Sequence, residues 1–196
     1  DGAAGHRIAV RRRLTGRIGW RPGGWLLSAR GVPSPHQDAR PAGERVTLLV
    51  LHGISLPPGR FSGDHVERLF TGRLGQGDPP DYPELRGLRV SAHFFVRRNG
   101  LLLQFVGCER RAWHAGVSQW QGRERCNDFS IGIELEGTDR RPYTGRQYHC
   151  LALLVKALQR RYPITDIVGH SDIAPGRKTD PGPAFDWPGF GRLLGR

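Results

Sequence analysis

The apolar run Val46-Thr-Leu-Leu-Val-Leu51 constrains the fold of this 196-residue chain more than any other segment. An almost unbroken apolar run of this length predicts a strand buried on both faces, as at the centre of a sheet covered by helices on both sides. His52 follows directly, so an imidazole is expected at the point where this central strand ends.

A second strand is predicted over Ser130–Glu136, where apolar and other residues alternate. The period of two places Ile131, Ile133 and Leu135 on one face and Glu134 on the other. A carboxylate is therefore expected opposite the core-facing side chains of a second strand. Glu136 shares that polar face and fits a solvated strand carboxylate.

Further elements complete a mixed α/β (α+β) pattern. Asn99-Gly100 between two apolar stretches predicts a hairpin, and Val66, Leu69 and Phe70 lie at helical spacing. The Thr144–Gln147 segment is a capping-box pattern that opens a helix, which Pro163 stops. A short strand is predicted over 167–169. Strands and helices do not alternate strictly, which favours one domain with a mixed central sheet flanked by helices.

Composition excludes several classes of function. The net charge is +12, and of the 30 basic residues all but Lys156 and Lys178 are arginine. These arginines are spread along the chain without a recognisable nucleic-acid-binding module, so the charge indicates an anionic small substrate and no nucleic-acid partner. No stretch approaches the roughly 18 apolar residues of a membrane span. Three cysteines without paired spacing favour a reducing compartment, hence the cytoplasm.

Residues 1–23 form a basic segment with little apolar periodicity and no export-signal core. We interpret them as an N-terminal extension of unknown role that is either flexible or docked on the surface.

The segment from His170 to Asp180 contains most of the candidate metal-binding and charged residues of the site. It offers a histidine and a carboxylate, with Lys178 two residues before the carboxylate, and its Pro and Gly content predicts a loop and not a helix. Together with His52, two histidines and one carboxylate around an open fourth position are typical of a catalytic zinc site. No short motif links position 52 to 170, so a core histidine satisfied by backbone groups stays an alternative for His52.

The chain resembles the family of cytosolic 1,6-anhydro-N-acetylmuramyl-L-alanine amidases (the AmpD family). The resemblance runs from about residue 24 to about residue 194, and it is more distant to phage-type N-acetylmuramoyl-L-alanine amidases and to peptidoglycan recognition proteins. Four segments carry it: Leu49–Gly59, Arg110–Ser118, Gln121–Asp139 and Gly169–Trp187.

This resemblance implies the amidase and peptidoglycan recognition protein-like fold, with residues 24–196 as the amidase domain. It implies zinc-dependent hydrolysis of the amide bond between the lactyl group of 1,6-anhydro-N-acetylmuramic acid and L-alanine. The expected context is cytosolic peptidoglycan recycling and control of β-lactamase induction, with a small anionic muropeptide as substrate and the protein as a monomer. A peptidoglycan-binding module without catalysis and an exported lytic amidase are the alternatives.

By the same resemblance, His52, His170 and Asp180 are the zinc ligands. Glu134 is the proton acceptor, and Lys178 supplies positive charge for the oxyanion.

Arg89 and Arg125 match substrate-carboxylate positions, and Leu135 is expected to line the pocket. His93 and His114 are rival ligands that we place on the cleft wall or behind the ligands, because the metal positions are already filled. Gly53 departs from the asparagine expected there in enterobacterial relatives.

Overall fold

The computed structural model describes residues 19–75, 82–85 and 87–195. Most of the predicted N-terminal extension, residues 1–18, therefore lies outside the described residues, as does part of the long loop after Gly72.

The described residues form short strands and four α-helices, with 3₁₀ turns at Pro83–Leu85 and Cys126–Asp128. The strands are β1 Trp20–Arg21, β2 Trp25–Leu26, β3 Arg30–Gly31, β4 Gln37–Ala39, β5 Leu48–Ile54, β6 Phe94–Val96, β7 Leu102–Gln104, β8 Arg110–Ala112, β9 Gln119–Trp120, β10 Arg123–Glu124, β11 Ser130–Glu136 and β12 Asp166–Gly169. The helices are α1 His65–Phe70, α2 Gly145–Arg161, α3 His170–Ile173 and α4 Trp187–Leu194.

Six strands form the central sheet, in the order β12-β5-β11-β6-β7-β3. The four strands β12, β5, β11 and β6 run parallel, whereas β6 and β7 form the predicted antiparallel hairpin around Asn99-Gly100. The prediction of a mixed central sheet is confirmed. The run that predicted the central strand becomes β5, which lies between β12 and β11 and extends two residues past His52.

Helices cover both faces of this sheet. On one face α2 packs on alternate residues of β5 and β11, among them Leu49, Leu51, Ile131, Ile133 and Leu135. On the other face α1 packs on side chains of β6 and β7, including Phe95 and Leu103. Both faces of β5 are thus buried, as its apolar sequence predicted, and β11 is buried on both faces although its alternating sequence predicted only one.

The capping box predicted for α2 is present. The Thr144 side chain accepts a hydrogen bond from the backbone N–H of Gln147, and the Gln147 side chain accepts one from the Thr144 N–H. The helix ends at Arg161, before Pro163, which cannot donate the next backbone hydrogen bond.

The prediction that the segment after β12 contains no helix is wrong for its first four residues. His170–Ile173 forms a single helical turn, α3. Gly169 precedes this turn, and the Asp172 carboxylate accepts a hydrogen bond from the Gly169 N–H at 2.7 Å. This local contact satisfies one of the amide groups that a helix start leaves unpaired. It favours a helical turn here despite the Pro and Gly content of the segment. His170 is consequently held at the first position of a helical turn.

The predicted boundary between residues 23 and 24 falls inside the β1–β2 hairpin. Trp20 packs on the main core and meets the Tyr162 ring edge to face at 6.2 Å. The last residues of the predicted extension are therefore docked on the domain.

Among the described residues, no helix is long and apolar enough to cross a membrane. Cys108, Cys126 and Cys150 are free thiols and all are buried.

Candidate metal centre and active site

The predicted site residues meet at the carboxyl ends of the parallel strands, where open α/β sheets bind ligands. His52 lies near the end of β5, and His170 follows β12 directly. Glu134 on β11 is the register partner of His52 on β5. Register partners on neighbouring strands share a face, so Glu134 and His52 both lie on the face opposite α2.

His52, His170 and Asp180 form one cluster, and their candidate ligand atoms all lie within 4.8 Å of one another. The Nδ1 atom of His52 is 3.3 Å from Asp180 Oδ2, and the Nδ1 atom of His170 is 3.2 Å from Asp180 Oδ1. Residues that are 128 positions apart in sequence are thus brought together, in the grouping that the family resemblance implied.

This donor set fits a zinc ion. Zinc bonds of about 2.0–2.2 Å in a tetrahedral site separate two donor atoms by about 3.3–3.6 Å, and the nitrogen to oxygen distances of 3.3 and 3.2 Å lie near the lower end of this range. Two imidazoles and a carboxylate are also the donor types of catalytic zinc sites, which keep a fourth position open.

The protonation states favour metal binding. Burial lowers the pKa of His52 to about 4, despite the opposing hydrogen bond with Asp180. For Asp180, burial raises the pKa, but hydrogen bonds from His170 and His52 outweigh it and hold the pKa well below its usual range. At neutral pH the cluster therefore offers neutral His52 and ionised Asp180, as metal ligation requires.

The outer ring nitrogens of both histidines have partners as well. His170 Nε2 lies 3.2 Å from the carbonyl oxygen of Ala115, which can only accept, so this nitrogen carries the proton when Nδ1 binds a metal. Arg177 donates to the same carbonyl at 2.7 Å and fixes it. His52 Nε2 lies 2.9 Å from His114 Nδ1. Such outer contacts orient ligand rings in metal sites.

Glu134 is a buried carboxyl group whose Oε2 atom has no hydrogen-bond partner within the described part of the chain. Burial raises its pKa well above the usual value, Asp180 raises it further, and Lys178 lowers it. A buried polar atom without a partner is costly and needs an explanation, and a reaction partner in the cleft provides one.

We expect Glu134 to lower the stability of the metal-free protein as pH rises. The pKa of Glu134 is higher in the folded protein than in the unfolded chain. Its contribution to the free energy of unfolding is therefore fully present below about pH 4.5 and is lost as the pH rises through the raised pKa. In urea unfolding, metal-free Glu134→Gln should gain roughly 1–3 kcal/mol over wild type between pH 5 and pH 8. Parallel pH profiles for the two proteins would contradict this.

Lys178 lies in the loop between α3 and Asp180 and is exposed. Its backbone N–H bonds to the carbonyl of Ala174 at 3.0 Å, which fixes the main chain at this point. Its positive charge lowers the pKa values of both Glu134 and His52.

Two predicted substrate residues lie on the surface. Arg89 is exposed and lines a cavity of about 430 Å³ together with His36 and Trp113. Arg125 has a left-handed backbone with φ of 60°, and its Nε lies 3.3 Å from Asp128 Oδ2. Their substrate contacts stay predictions.

The structure does not bring the Leu135 side chain to the site. Leu135 is fully buried in the core beneath α2, on the face opposite Glu134. Glu136 is also buried, not solvated as expected, because it bonds to the Arg97 guanidinium at 3.2 Å and the Arg98 N–H at 3.0 Å.

The two rival histidines have different roles. His93 Nδ1 accepts from the Gly132 N–H at 3.1 Å, and its Nε2 donates to the carbonyl of Arg110 at 3.0 Å. It therefore supports the strands, whereas His114 contacts the candidate ligand His52 directly.

The Tyr143 side chain occupies the space beside Gly53. The N–H of Gly53 points at Asp180 Oδ2 at 3.3 Å, and a Cβ on Gly53 would lie 2.5 Å from the Tyr143 hydroxyl. That hydroxyl donates to the carbonyl of Pro181 at 2.9 Å. The Tyr143 hydroxyl thus fills the space beside Gly53 and fixes Pro181, the residue that follows Asp180.

Similar proteins of known identity fall in one family. The family model described as N-acetylmuramoyl-L-alanine amidase (Amidase_2) matches residues 42–183. The 1,6-anhydro-N-acetylmuramyl-L-alanine amidase AmpD of Escherichia coli (strain K12) is 58% identical over 175 residues, which are 88% of this chain and 96% of that protein.

Solved structures agree. A crystal structure of a selenomethionine derivative of AmpD has a TM-score of 0.87 at 55% identity, covering 90% of this chain and 99% of that one. The amidase AmiD from Escherichia coli, in complex with the substrate anhydro-N-acetylmuramic acid-L-Ala-D-gamma-Glu-L-Lys, has a TM-score of 0.59 at 30% identity, covering 89% and 65%. The predicted fold class and resemblance are confirmed: this chain belongs to the 1,6-anhydro-N-acetylmuramyl-L-alanine amidase (AmpD) family of N-acetylmuramoyl-L-alanine amidases.

Proposed function

We propose that the protein hydrolyses the amide bond between the lactyl group of 1,6-anhydro-N-acetylmuramic acid and L-alanine in muropeptides, using zinc held by His52, His170 and Asp180. One observation carries the proposal: three metal-compatible side chains adjoin the buried carboxyl group of Glu134, whose Oε2 atom has no hydrogen-bond partner among the described residues, in a chain of this family. The reaction would serve peptidoglycan recycling and limit β-lactamase induction.

The chemistry requires a stronger nucleophile and a more electrophilic carbonyl than water and an amide provide. A bound zinc ion supplies Lewis acidity, which serves both needs. Glu134 takes the proton of the attacking water and returns it to the leaving nitrogen of L-alanine. The high pKa that burial gives this carboxyl suits both directions of transfer.

Lys178 neutralises the charge that develops on the carbonyl oxygen. We expect Lys178→Met to lower kcat by roughly 10²–10³-fold, as for removal of one oxyanion donor, with a much smaller effect on KM. Steady-state kinetics on an anhydro-muramyl tripeptide would measure this. Lys156→Met is the matched control, since Lys156 is exposed and donates to the carbonyl of Leu193 in α4. Equal kcat values for the Lys178 variant and wild type would remove Lys178 from the mechanism.

The bond that is cut can be identified directly. The zinc-loaded protein is incubated with anhydro-N-acetylmuramyl-L-Ala-D-γ-Glu-L-Lys, and the products are separated and weighed by mass spectrometry. We expect free tripeptide and anhydro-N-acetylmuramic acid, with one ¹⁸O atom in the lactyl carboxylate when the solvent is H₂¹⁸O. Binding of the muropeptide without any product would instead indicate a recognition module.

We infer that the protein acts in the cytoplasm as a monomer whose amidase domain comprises residues 24–196, with the segment from Trp20 packed against it. Three buried free thiols support a reducing compartment. Cell fractionation and sedimentation would test compartment and assembly.

A further inference from the structure

The second nitrogen of His52 faces another histidine. His114 Nδ1 lies 2.9 Å from His52 Nε2, and the two rings are almost perpendicular at 87°. His114 continues outward, because its Nε2 lies 3.1 Å from the hydroxyl of Ser130. The three side chains thus form a hydrogen-bonded row that starts at the candidate metal cluster.

Neighbouring residues fix the position of His114. Asn127 Oδ1 accepts from the backbone N–H of His114 at 3.1 Å and from that of Ala115 at 2.9 Å. The ring lies directly over Gly132 of β11, where a Cβ atom would overlap it. A glycine inside a buried strand is otherwise unfavourable, and close approach of another group is a usual reason for one.

We propose that His114 is a positioning residue that sets the tautomer and orientation of the zinc ligand His52. This proposal rests on the proposed zinc site. If His52 binds zinc through Nδ1, its proton lies on Nε2 and is donated to His114 Nδ1. The proton of His114 then lies on Nε2 and is donated to Ser130 Oγ. Each ring keeps one proton and stays neutral, and the serine hydroxyl can accept at the end of the row.

This arrangement matters because a ligand ring held by an outer hydrogen bond binds metal more tightly. Loss of such outer contacts typically costs about 10–100-fold in metal affinity. The second ligand, His170, donates to a backbone carbonyl, which no side-chain substitution removes. Of these two outer hydrogen bonds, the one made by His52 depends on a side chain, that of His114, which a substitution can remove.

The test is zinc affinity, measured by competition with a chromogenic chelator and without any substrate. We expect His114→Ala to weaken zinc binding by about 10–100-fold. His114→Asn keeps an acceptor near the Nδ1 position and should recover much of that loss. Gly132→Ala retains the His114 side chain, but the added methyl group displaces its ring, so this variant should weaken zinc binding as His114→Ala does.

His93→Ala is the matched control. It makes the same truncation in a neighbouring imidazole, 5.9 Å from His114 between ring centroids, that supports strands and does not touch His52. It should lower stability and leave the zinc affinity of the folded protein within about threefold of wild type. Equal weakening by His93→Ala, or unchanged affinity in His114→Ala, would overturn the proposal.

A measurement on the wild-type protein tests the proposal even if the variants do not fold. Two-bond ¹H–¹⁵N spectra of the zinc-loaded protein report which nitrogen of each ring carries the proton. We expect Nε2–H in both His52 and His114. A proton on Nδ1 of His114 would contradict the proposal. Failure of the wild type to bind zinc at all would instead refute the proposed zinc site.

Discussion

Glu134→Gln should lower kcat by about 10²–10⁴-fold, the usual contribution of a positioned acid–base group. Glutamine has almost the same shape but cannot accept the proton of water, so substrate binding should persist and KM should change little. The metal-free variant is also expected to be more stable than wild type at neutral pH, because the free-energy cost of burying an ionisable group is removed. Low activity in a more stable protein separates loss of chemistry from loss of fold.

Glu136→Gln is the matched control for this change. Glu136 lies two residues along the same strand and on the same face, but its carboxylate is engaged by Arg97 and Arg98. This variant should lose stability and keep kcat within a few-fold of wild type. A Glu134→Gln enzyme that retains wild-type kcat would show that another group transfers the proton.

Asp180→Ala should abolish zinc binding at micromolar concentration and activity together. The carboxylate contacts both imidazoles and the N–H of Gly53, so its loss removes one donor and loosens two others. The effect should exceed the roughly 10–100-fold typical of outer contacts. Metal content after dialysis, measured by mass spectrometry, checks this.

Asp186→Ala serves as the control for Asp180→Ala. Asp186 caps α4 by accepting from the Gly189 N–H, so its loss should cost about 1 kcal/mol of stability without affecting zinc. An Asp180→Ala protein that retains one zinc ion per chain would remove Asp180 from the ligand set.

The sequence predicted the parts of this fold whose pattern is local. The apolar run before His52 and the alternation over Ser130–Glu136 predict two strands, and the structure confirms both. The alternation also places Leu135 with the core-facing isoleucines, and the structure follows this period. The resemblance-based expectation that Leu135 lines the pocket conflicts with it.

Contacts between distant segments could not be read from local pattern. The pairing of His52 with Glu134 depends on strand register, which tertiary packing decides. Gly132 offered a signal, because a glycine within an apolar strand marks a close approach, but the sequence does not say that His114 fills the space.

Arg40 shows the limit of reasoning from composition. With basic residues spread along the chain, any arginine is expected on the surface, yet Arg40 is partly buried and donates to main-chain carbonyls. Its acceptors are Cys108, Asn127, Asp128 and Ser130. These contacts tie the segment that carries Asn127 to β11, and burial lowers the pKa of Arg40 to about 10. Nothing in the local sequence distinguishes this arginine from the others.

The most direct test of the account is a zinc titration of the metal-free protein. Peptide release from an anhydro-muramyl tripeptide is followed while zinc is added in steps below and above one equivalent. We predict negligible release without zinc, a linear rise up to one zinc ion per chain, and a plateau beyond it. Full activity in the metal-free protein, or no release with one zinc ion bound, would contradict the account.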